Sequence, residues 1–161
     1  MKTIPNVFLQ VPGYNCFGCA PHNKNGLQLT FTGHDDGRTT TEFTPESHFS
    51  GFPGVCHGGI GMAVLDELCF WAAFHVYNRF GFTTRMDFRL RRPVPVGEKL
   101  IAEARVMSKS GRLVKMSAVI RRVDSDEALI GGEVTYYLAD KATWEKVTGG
   151  PAHESILPYI D

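Results

Sequence analysis

The feature that most constrains this sequence is a long apolar segment, residues 58–77, which contains one adjacent pair of acids, Asp66 and Glu67. Its apolar residues occupy every side of a helix rather than one stripe, and a helix of that kind belongs in a protein core. An ionised carboxylate is costly to bury there unless it has partners or a task. The segment therefore predicts a buried central helix that carries a functional acid.

The bulk composition excludes several classes of protein. A chain of 161 residues is the size of one domain. Its 17 basic and 17 acidic residues cancel, which argues against nucleic acid or an anionic membrane as the main partner. The acids and glycines that interrupt the apolar helix argue against a membrane span. The N-terminus lacks the apolar core of a signal peptide, and four cysteines are few for a secreted disulfide scaffold, so we expect a cytoplasmic protein with reduced thiols.

Segments typical of strands flank the predicted helix on both sides. Residues 1–25 are irregular, and residues 140–161 show no periodicity and are expected to form a tail packed on the surface. An antiparallel sheet that wraps around the helix is the economical way to bury both, so we predict a single α+β domain over 1–161 with its core at about 15–138. The predicted strands are residues 26–32, 38–44, 83–91, 99–109, 113–123 and 128–138.

Three motifs in this order resemble one known family. They are Cys16-Phe-Gly-Cys-Ala-Pro-His-Asn-Lys-Asn-Gly-Leu-Gln-Leu29, then Gly54-Val-Cys-His-Gly-Gly59 with Asp66, and Thr83-Thr-Arg-Met-Asp-Phe-Arg-Leu-Arg-Arg-Pro93 followed by Val96-Gly-Glu98. Together they are similar to the hot-dog-fold thioesterases, most of all to the branch of phenylacetate-pathway, hydroxybenzoyl-CoA and human acyl-CoA thioesterases. The resemblance covers residues 15–138. It implies a hot-dog fold, a long central helix wrapped by an antiparallel sheet, and hydrolysis of acyl-CoA thioesters to free acid and CoA.

The residues of the apolar helix suit that chemistry. Thioester hydrolysis needs a nucleophile or base and donors for the oxyanion, and Asp66 is the candidate nucleophile or general base. Glu67 lies ~100° further round the helix, where we expect a solvated or salt-bridged neighbour. Gly58 and Gly59 offer unpaired N–H groups at the positive end of the helix, and Gly58 is the expected oxyanion donor. His57 could donate to the same oxygen or hold the shape of the loop.

The spacing of these residues predicts an assembly. Gly58 and Asp66 are separated by about 12 Å at ~1.5 Å per helical residue. Because a reacting carbonyl must lie within about 3 Å of both groups, one helix cannot supply both to one substrate. Two antiparallel copies could, and the resemblance implies the same arrangement. We therefore predict a homodimer with active sites at its interface, which could pair further into a dimer of dimers.

The resemblance also indicates a threonine beside the acid. Thr83 falls ten residues before Pro93, where family members carry a Ser or Thr that positions the attacking water or the Asp. Strict alternation would put Thr83 on the sheet face opposite Met86, a difficulty that either a β-bulge or a strand start near Thr84 would remove. Thr84 is the second candidate. Residues 49–53 lack the Asn or Gln that some members carry before the His, which favours the acyl-CoA branch that pairs Asp with Thr.

Binding residues are less sharply indicated. Arg92, Ser110 and Arg112 are candidates for holding the phosphates of CoA, although such charges are also typical of a solvated sheet face. Cys16 and Cys19 suggest zinc, but a structural zinc site needs four ligands and no second close Cys or His pair is present, unless Cys56 or His57 comes near. The expectation is a tight turn with reduced thiols, no metal and no cofactor.

Two other functions remain open at this stage. A hot-dog hydratase or dehydratase would need an Asp–His pair on one loop or helix, and the nine residues between His57 and Asp66 argue against it. A non-catalytic acyl-CoA-binding module would keep the fold and the pocket, but it would have no need of an acid in the apolar helix. The acyl group is left undetermined, because Phe70, Trp71 and Phe74 fit a pocket wall and a packed core equally well.

Overall fold

A computed structural model describes residues 1–160. Its centre is helix α1, Gly58–Tyr77, which packs against a seven-stranded antiparallel sheet. A second helix, α2, spans Lys141–Thr148, and short 3-10 helices lie at Val7–Gln10, Ser47–Phe49 and Leu157–Tyr159. The strands are β1 (Lys2–Thr3), β2 (Thr32–Gly33), β3 (Thr39–Phe43), β4 (Ser50–Phe52), β5 (Val55–Cys56), β6 (Gly81–Leu90), β7 (Leu100–Ser110), β8 (Leu113–Arg122) and β9 (Ala128–Leu138).

The predicted architecture is confirmed: one long helix is covered by an antiparallel sheet. The strand order is β1-β2-β3-β7-β8-β9-β6, and the small pair β4–β5 leads the chain into α1. Alternate residues of the meander point at the helix and are buried, as the period-two pattern predicts. They include Val114, Met116, Ala118 and Ile120 on β8 and Ile130, Val134, Tyr136 and Leu138 on β9.

Local signals in the sequence set both ends of α1. The His57 ring caps the first turn, where its Nδ1 accepts a hydrogen bond of 3.0 Å from the Gly59 N–H. At the other end Asn78 adopts a left-handed backbone conformation with φ 53°, and its N–H donates to the Phe74 carbonyl oxygen. The helix therefore spans the predicted residues 58–77.

One stripe of α1 is left partly open in the single chain. Gly59, Met62, Ala63 and Asp66 share one helical face and are exposed or half-buried, whereas nine other residues of α1 are buried. The expected burial on most sides therefore holds except along this stripe. By length and composition alone α1 could also cross a membrane, but here its buried faces pack as those of a core helix.

Strand β6 forms one edge of the sheet. It pairs with β9 on one side, and no described residue of 1–160 pairs with its other side. Met86 and Leu90 on this strand are exposed and Phe88 is half-buried. A ten-residue edge with apolar side chains is a surface on which another strand can pair.

The predicted strand 26–32 is wrong except at its end, because only Thr32 lies in β2. Its side chains do alternate between buried and exposed, since Leu29 and Phe31 are buried, but its backbone hydrogen bonds before Thr32 are not made to the sheet. The Leu27 N–H donates to the Phe17 carbonyl oxygen and the Leu29 N–H to that of Gly18. The segment thus runs along the Cys16–Cys19 turn rather than along the sheet.

The C-terminal tail is more ordered than the sequence predicts. Helix α2 is capped by Asp140, whose carboxylate accepts a bond of 2.8 Å from the Thr143 N–H. Trp144 packs against Phe82 with ring centroids 5.3 Å apart, and Ile156 and Ile160 are each only 2% exposed. The tail therefore contributes to the core. The sequence did not predict this, because a helix of eight residues with one aromatic side chain is too short to show a clear periodic pattern.

Candidate functional site

A cleft of about 520 Å³ lies at the start of α1. Gly58 lines it, and no described residue within 1–160 hydrogen-bonds to the Gly58 N–H. A Cβ at Gly58 would lie 2.6 Å from Leu90 Cδ2, so helix and edge strand approach closely at this point. Mainly apolar residues complete the cleft: Phe52, Val55, Cys56, Leu90, Pro93, Val94 and Ile130.

His57 and Gly59 are joined by a hydrogen bond. The Gly59 N–H is already held by the His57 ring, whose Nδ1 accepts it. Of the two predicted glycine donors, Gly58 is therefore the one whose N–H is available to a ligand. The His57 side chain acts as a helix cap and lines the same cleft.

Asp66 lies two turns further along α1, on the open stripe. Its Oδ1 is buried and has no hydrogen-bond partner among residues 1–160. It also influences two buried neighbours. Burial raises the pKa of Tyr136 well above its usual value, and the charge of Asp66 adds to that rise. The pKa of the Cys69 thiol is raised by the same two causes.

A β-bulge in β6 brings Thr83 to the helix side of the sheet. Thr83 pairs with Tyr136 and Arg85 with Thr135, so Thr84 is the extra residue between them. Its exposed hydroxyl donates to the Thr135 carbonyl oxygen at 3.0 Å. Beyond the bulge Met86, Phe88 and Leu90 pair with Val134, Gly132 and Ile130, so they share a face with Thr83. Strict alternation placed Thr83 on the wrong face of the sheet, and the bulge at Thr84 removes that difficulty.

Glu67 corrects the prediction of a solvated or salt-bridged neighbour. Trp71 Nε1 donates to Glu67 Oε1 at 3.0 Å, and Cys16 Sγ lies 3.5 Å from Oε2. Burial raises the pKa of Glu67 to about 7. The N-terminal segment covers this side of α1, which helical periodicity could not indicate.

Cys16, Cys19 and Glu67 form one cluster. Their sulfur and carboxylate atoms all lie within 4.8 Å of one another, and Cys56 and His57 are not among them. The Cys19 thiol and the N–H groups of Cys19 and Gly18 hydrogen-bond to the Cys16 sulfur and lower the pKa of Cys16 to about 5. His22 instead contacts the Tyr14 carbonyl oxygen at 2.8 Å.

The three predicted phosphate-binding residues do not meet within one chain. Arg92 lines the cleft at Gly58 and forms an ion pair of 2.7 Å with Glu127. Ser110 and Arg112 lie at the β7–β8 hairpin, where Arg112 bonds to the Leu138 carbonyl oxygen. Because the Arg92 N–H bonds to Leu129, the two places are about 30 Å apart along β9 at ~3.3 Å per residue.

Comparison with known proteins finds a family match for part of the chain. Residues 53–129, which contain α1 and most of the meander, match the thioesterase superfamily. Among curated proteins, none matches the chain significantly.

Solved structures share the fold. The thioesterase superfamily protein RHA08564 is 26% identical over 73% of this chain with a TM-score of 0.66, and the chain spans 57% of that protein's length. Zebrafish thioesterase superfamily member 2 is 17% identical over 69% of this chain and 81% of its own, with a TM-score of 0.63. The Streptococcus mutans protein smu.793, solved with acetyl-CoA, is 9% identical over 81% of this chain and 96% of its own, with a TM-score of 0.65.

The matched segment holds the helix start, Asp66 and Thr83, and between 69% and 81% of this chain folds as these three structures do. The fold is therefore the expected hot-dog, and residues 53–129, 77 of the 161 residues of the chain, match the thioesterase superfamily.

Proposed function

We propose that this protein hydrolyses acyl-CoA thioesters. The observation that carries the proposal is Asp66, a carboxylate with a buried, unpaired oxygen on an otherwise apolar open stripe of α1. Such a group is costly to keep without a task. The match of residues 53–129 to the thioesterase superfamily and the acetyl-CoA bound to the Streptococcus mutans protein support a CoA thioester as the substrate.

The proposed active unit is a dimer joined through the edge strand β6. A two-fold axis would pair β6 antiparallel with its copy, so that the Leu90 end of one strand meets the Gly81 end of the other. Gly58 packs at Leu90, whereas Thr83 lies near Gly81. Each site would then combine Gly58 of one chain with Asp66 and Thr83 of the other, and the open stripe of α1 would be covered.

In this site Asp66 either attacks the thioester carbonyl carbon itself or takes a proton from the water that attacks it. The carbonyl oxygen becomes an oxyanion, which the Gly58 N–H and the positive end of α1 stabilise. The carbon–sulfur bond then breaks, and CoA leaves as a thiol after gaining a proton. Where water is the attacking group, the free acid forms in this step. Where Asp66 attacks, the acyl group remains on its carboxylate as a mixed anhydride, and a water molecule then breaks that bond to release the acid and restore Asp66. Thr83 positions the water or the carboxylate from the neighbouring strand.

Arg92 is the residue we propose for the CoA phosphates, because it lines the cleft at Gly58. Ser110 and Arg112 of the same chain are about 30 Å away. They can contribute to that site only from another chain.

The test is a thiol-release assay with the purified protein over short, medium, long and aromatic acyl-CoAs. We expect turnover of at least one class. Tight acyl-CoA binding without turnover of any of them would instead support the non-catalytic binding module.

A further inference from the structure

We propose that Cys16, Cys19 and Glu67 form a binding site for a divalent thiophilic metal ion, with Zn²⁺ as the natural candidate. The site lies beside the proposed thioesterase centre and does not depend on it. Thiolates favour zinc among the common divalent ions, and a carboxylate is an accepted third ligand.

The distances fit tetrahedral coordination. Zinc binds sulfur at about 2.3 Å and carboxylate oxygen at about 2.0–2.2 Å, so a sulfur and an oxygen on one tetrahedral zinc lie about 3.5–3.7 Å apart. Cys16 Sγ and Glu67 Oε2 are 3.5 Å apart. The Cys19 sulfur lies within 4.8 Å of both atoms, so a small movement of its side chain would bring all three atoms onto one ion.

The surrounding hydrogen bonds orient the ligands in the way that metal sites require. Trp71 Nε1 holds Glu67 Oε1, which leaves Oε2 turned toward the sulfurs. The Gly18 N–H donates to Cys16 Sγ at 3.2 Å, and the Tyr14 hydroxyl lies 2.8 Å from Cys19 Sγ. A backbone N–H to the first sulfur of a Cys-x-x-Cys turn stabilises that sulfur as a thiolate.

Gly18 also makes the site sterically possible. A Cβ at this residue would lie 2.5 Å from Glu67 Oε2 and 2.6 Å from its Cδ. The turn can therefore close on the helix carboxylate only because residue 18 has no side chain.

The cluster lacks a cation to balance it. Glu67 forms no salt bridge within residues 1–160, and its carboxylate packs among Phe70, Trp71 and the two cysteines. In the metal-free protein the Cys16 thiol donates to Glu67 Oε2, and loss of that proton would leave two buried anions side by side, which is unfavourable unless positive charge compensates them. A metal ion would supply that charge.

A fourth ligand has room to bind. An aromatic pocket of about 190 Å³, lined by Phe8, Tyr14, Phe70 and Trp144, adjoins the three ligands and can admit a water molecule. The metal would fasten the N-terminal segment to α1 one residue from Asp66. The sequence argued against a metal site because it shows no second Cys or His pair. In the folded chain the third ligand is Glu67, which lies on α1.

The experiment uses the 161-residue chain, reduced with a non-thiol reductant and stripped of metal with a chelator. Zn²⁺ is titrated against a chromophoric competitor, and Co²⁺ is added separately as a spectroscopic probe. We expect one equivalent of Zn²⁺ to bind, and Co²⁺ to give a thiolate charge-transfer band with the intense visible bands of tetrahedral coordination. Absence of zinc binding and of the charge-transfer band in the wild-type protein would overturn the proposal without any variant being needed.

Variants test the ligand set. Loss of a residue that only orients a metal ligand typically weakens metal binding by about 10–100-fold, and we expect an effect of this size from Gly18→Ala. Loss of a ligand itself should weaken Zn²⁺ binding further, so we expect a larger effect from each of Cys16→Ser, Cys19→Ser and Glu67→Gln. Cys56→Ala is the matched control, since Cys56 is buried outside the cluster, and it should bind as the wild type does. Binding that survives both serine variants would overturn the site. So would a Cys16–Cys19 disulfide that forms in air at the same rate with and without Zn²⁺, because bound metal must protect the thiols.

Discussion

At the scale of single residues, Asp66 stands apart from the other acids. Among residues 1–160 it is the only carboxylate with a buried oxygen that lacks a hydrogen bond. Its neighbour Glu67 satisfies both oxygens through Trp71 and Cys16. Two adjacent acids on one helix thus have different environments, one hydrogen-bonded and one not, because their side chains point ~100° apart around the helix.

Replacement of Asp66 by Asn should lower kcat for acyl-CoA hydrolysis by about 10²-fold or more, because the amide can neither attack the carbonyl nor accept a proton from water. The measurement is thiol release, with acyl-CoA binding followed separately and expected to persist. Asp124→Asn, on an exposed turn, is the control and should leave kcat unchanged. Undiminished hydrolysis by Asp66→Asn would remove this residue from the mechanism.

The two adjacent threonines should differ in the same assay. Thr83→Val should lower kcat by up to about 10²-fold, because in the proposed site its hydroxyl orients the water or Asp66. Thr84→Val should have no effect on kcat, since the Thr84 hydroxyl bonds to the Thr135 carbonyl oxygen on an exposed bulge. A pH–rate profile distinguishes positioning from general damage to the fold, because loss of positioning should lower the plateau without changing its shape. The reverse order of effects would assign the role to Thr84.

At the scale of elements, the strongly periodic segments were predicted well and the weakly periodic ones were not. α1 and β9 have the predicted bounds, because each has many apolar positions and a clear stop signal. The segment 26–32 alternates like a strand but pairs with the Cys16–Cys19 turn. Alternation reports which side chains are buried, but it does not identify the backbone that supplies the hydrogen bonds.

The cap of α2 gives a prediction on stability and pH. Asp140 accepts the Thr143 N–H and lies 3.7 Å from Arg112, and these contacts hold the pKa of its carboxyl below the usual value. A lowered pKa means that the stabilisation is present above the pKa of the unfolded chain and is lost as pH falls through that of the folded protein. Asp140→Ala should therefore lower Tm at pH 7, and the difference from wild type should shrink below about pH 4.

Asp140→Asn should lose less stability than Asp140→Ala, since asparagine still caps a helix. Asp126→Ala, at an exposed acid in a turn, is the control and should not change Tm. Thermal unfolding followed by circular dichroism over a pH series checks all three. An equal loss in the Ala and Asn variants would show that the ion pair with Arg112, rather than the cap, stabilises the tail.

At the scale of the whole molecule, the single chain keeps the two halves of the proposed site apart. Gly58 and Asp66 are fixed about 12 Å apart by one continuous helix. The free β6 edge and the open stripe of α1 are the surfaces on which a second copy would bring them together. The same two-fold pairing would cover the exposed Met86 and Leu90 side chains.

Mixing two inactive variants tests this pairing. Asp66→Asn and Gly58→Val should each be inactive alone, the second because its side chain crowds Leu90 and blocks the N–H. After co-refolding, a mixed dimer has one site with both defects and one intact site, so up to about a quarter of all sites should recover activity. Wild-type protein taken through the same refolding is the control. A mixture that stays inactive while the wild type recovers would place both groups within one chain.

The sequence by itself determined the central helix, the strands of the meander and the position of the acid within the helix. These follow from periodicity and from local caps, which are properties of neighbouring residues. The surroundings of Glu67, the helix-side placement of Thr83 and the separation of Arg92 from Arg112 were decided only by tertiary structure. Each depends on which distant segment packs against which face: the Cys16–Cys19 turn on α1, the bulge in β6 against β9, and the two ends of a long strand. Contacts between residues far apart in the chain leave no periodic trace in the sequence, so the metal-binding cluster became visible only when the chain was folded.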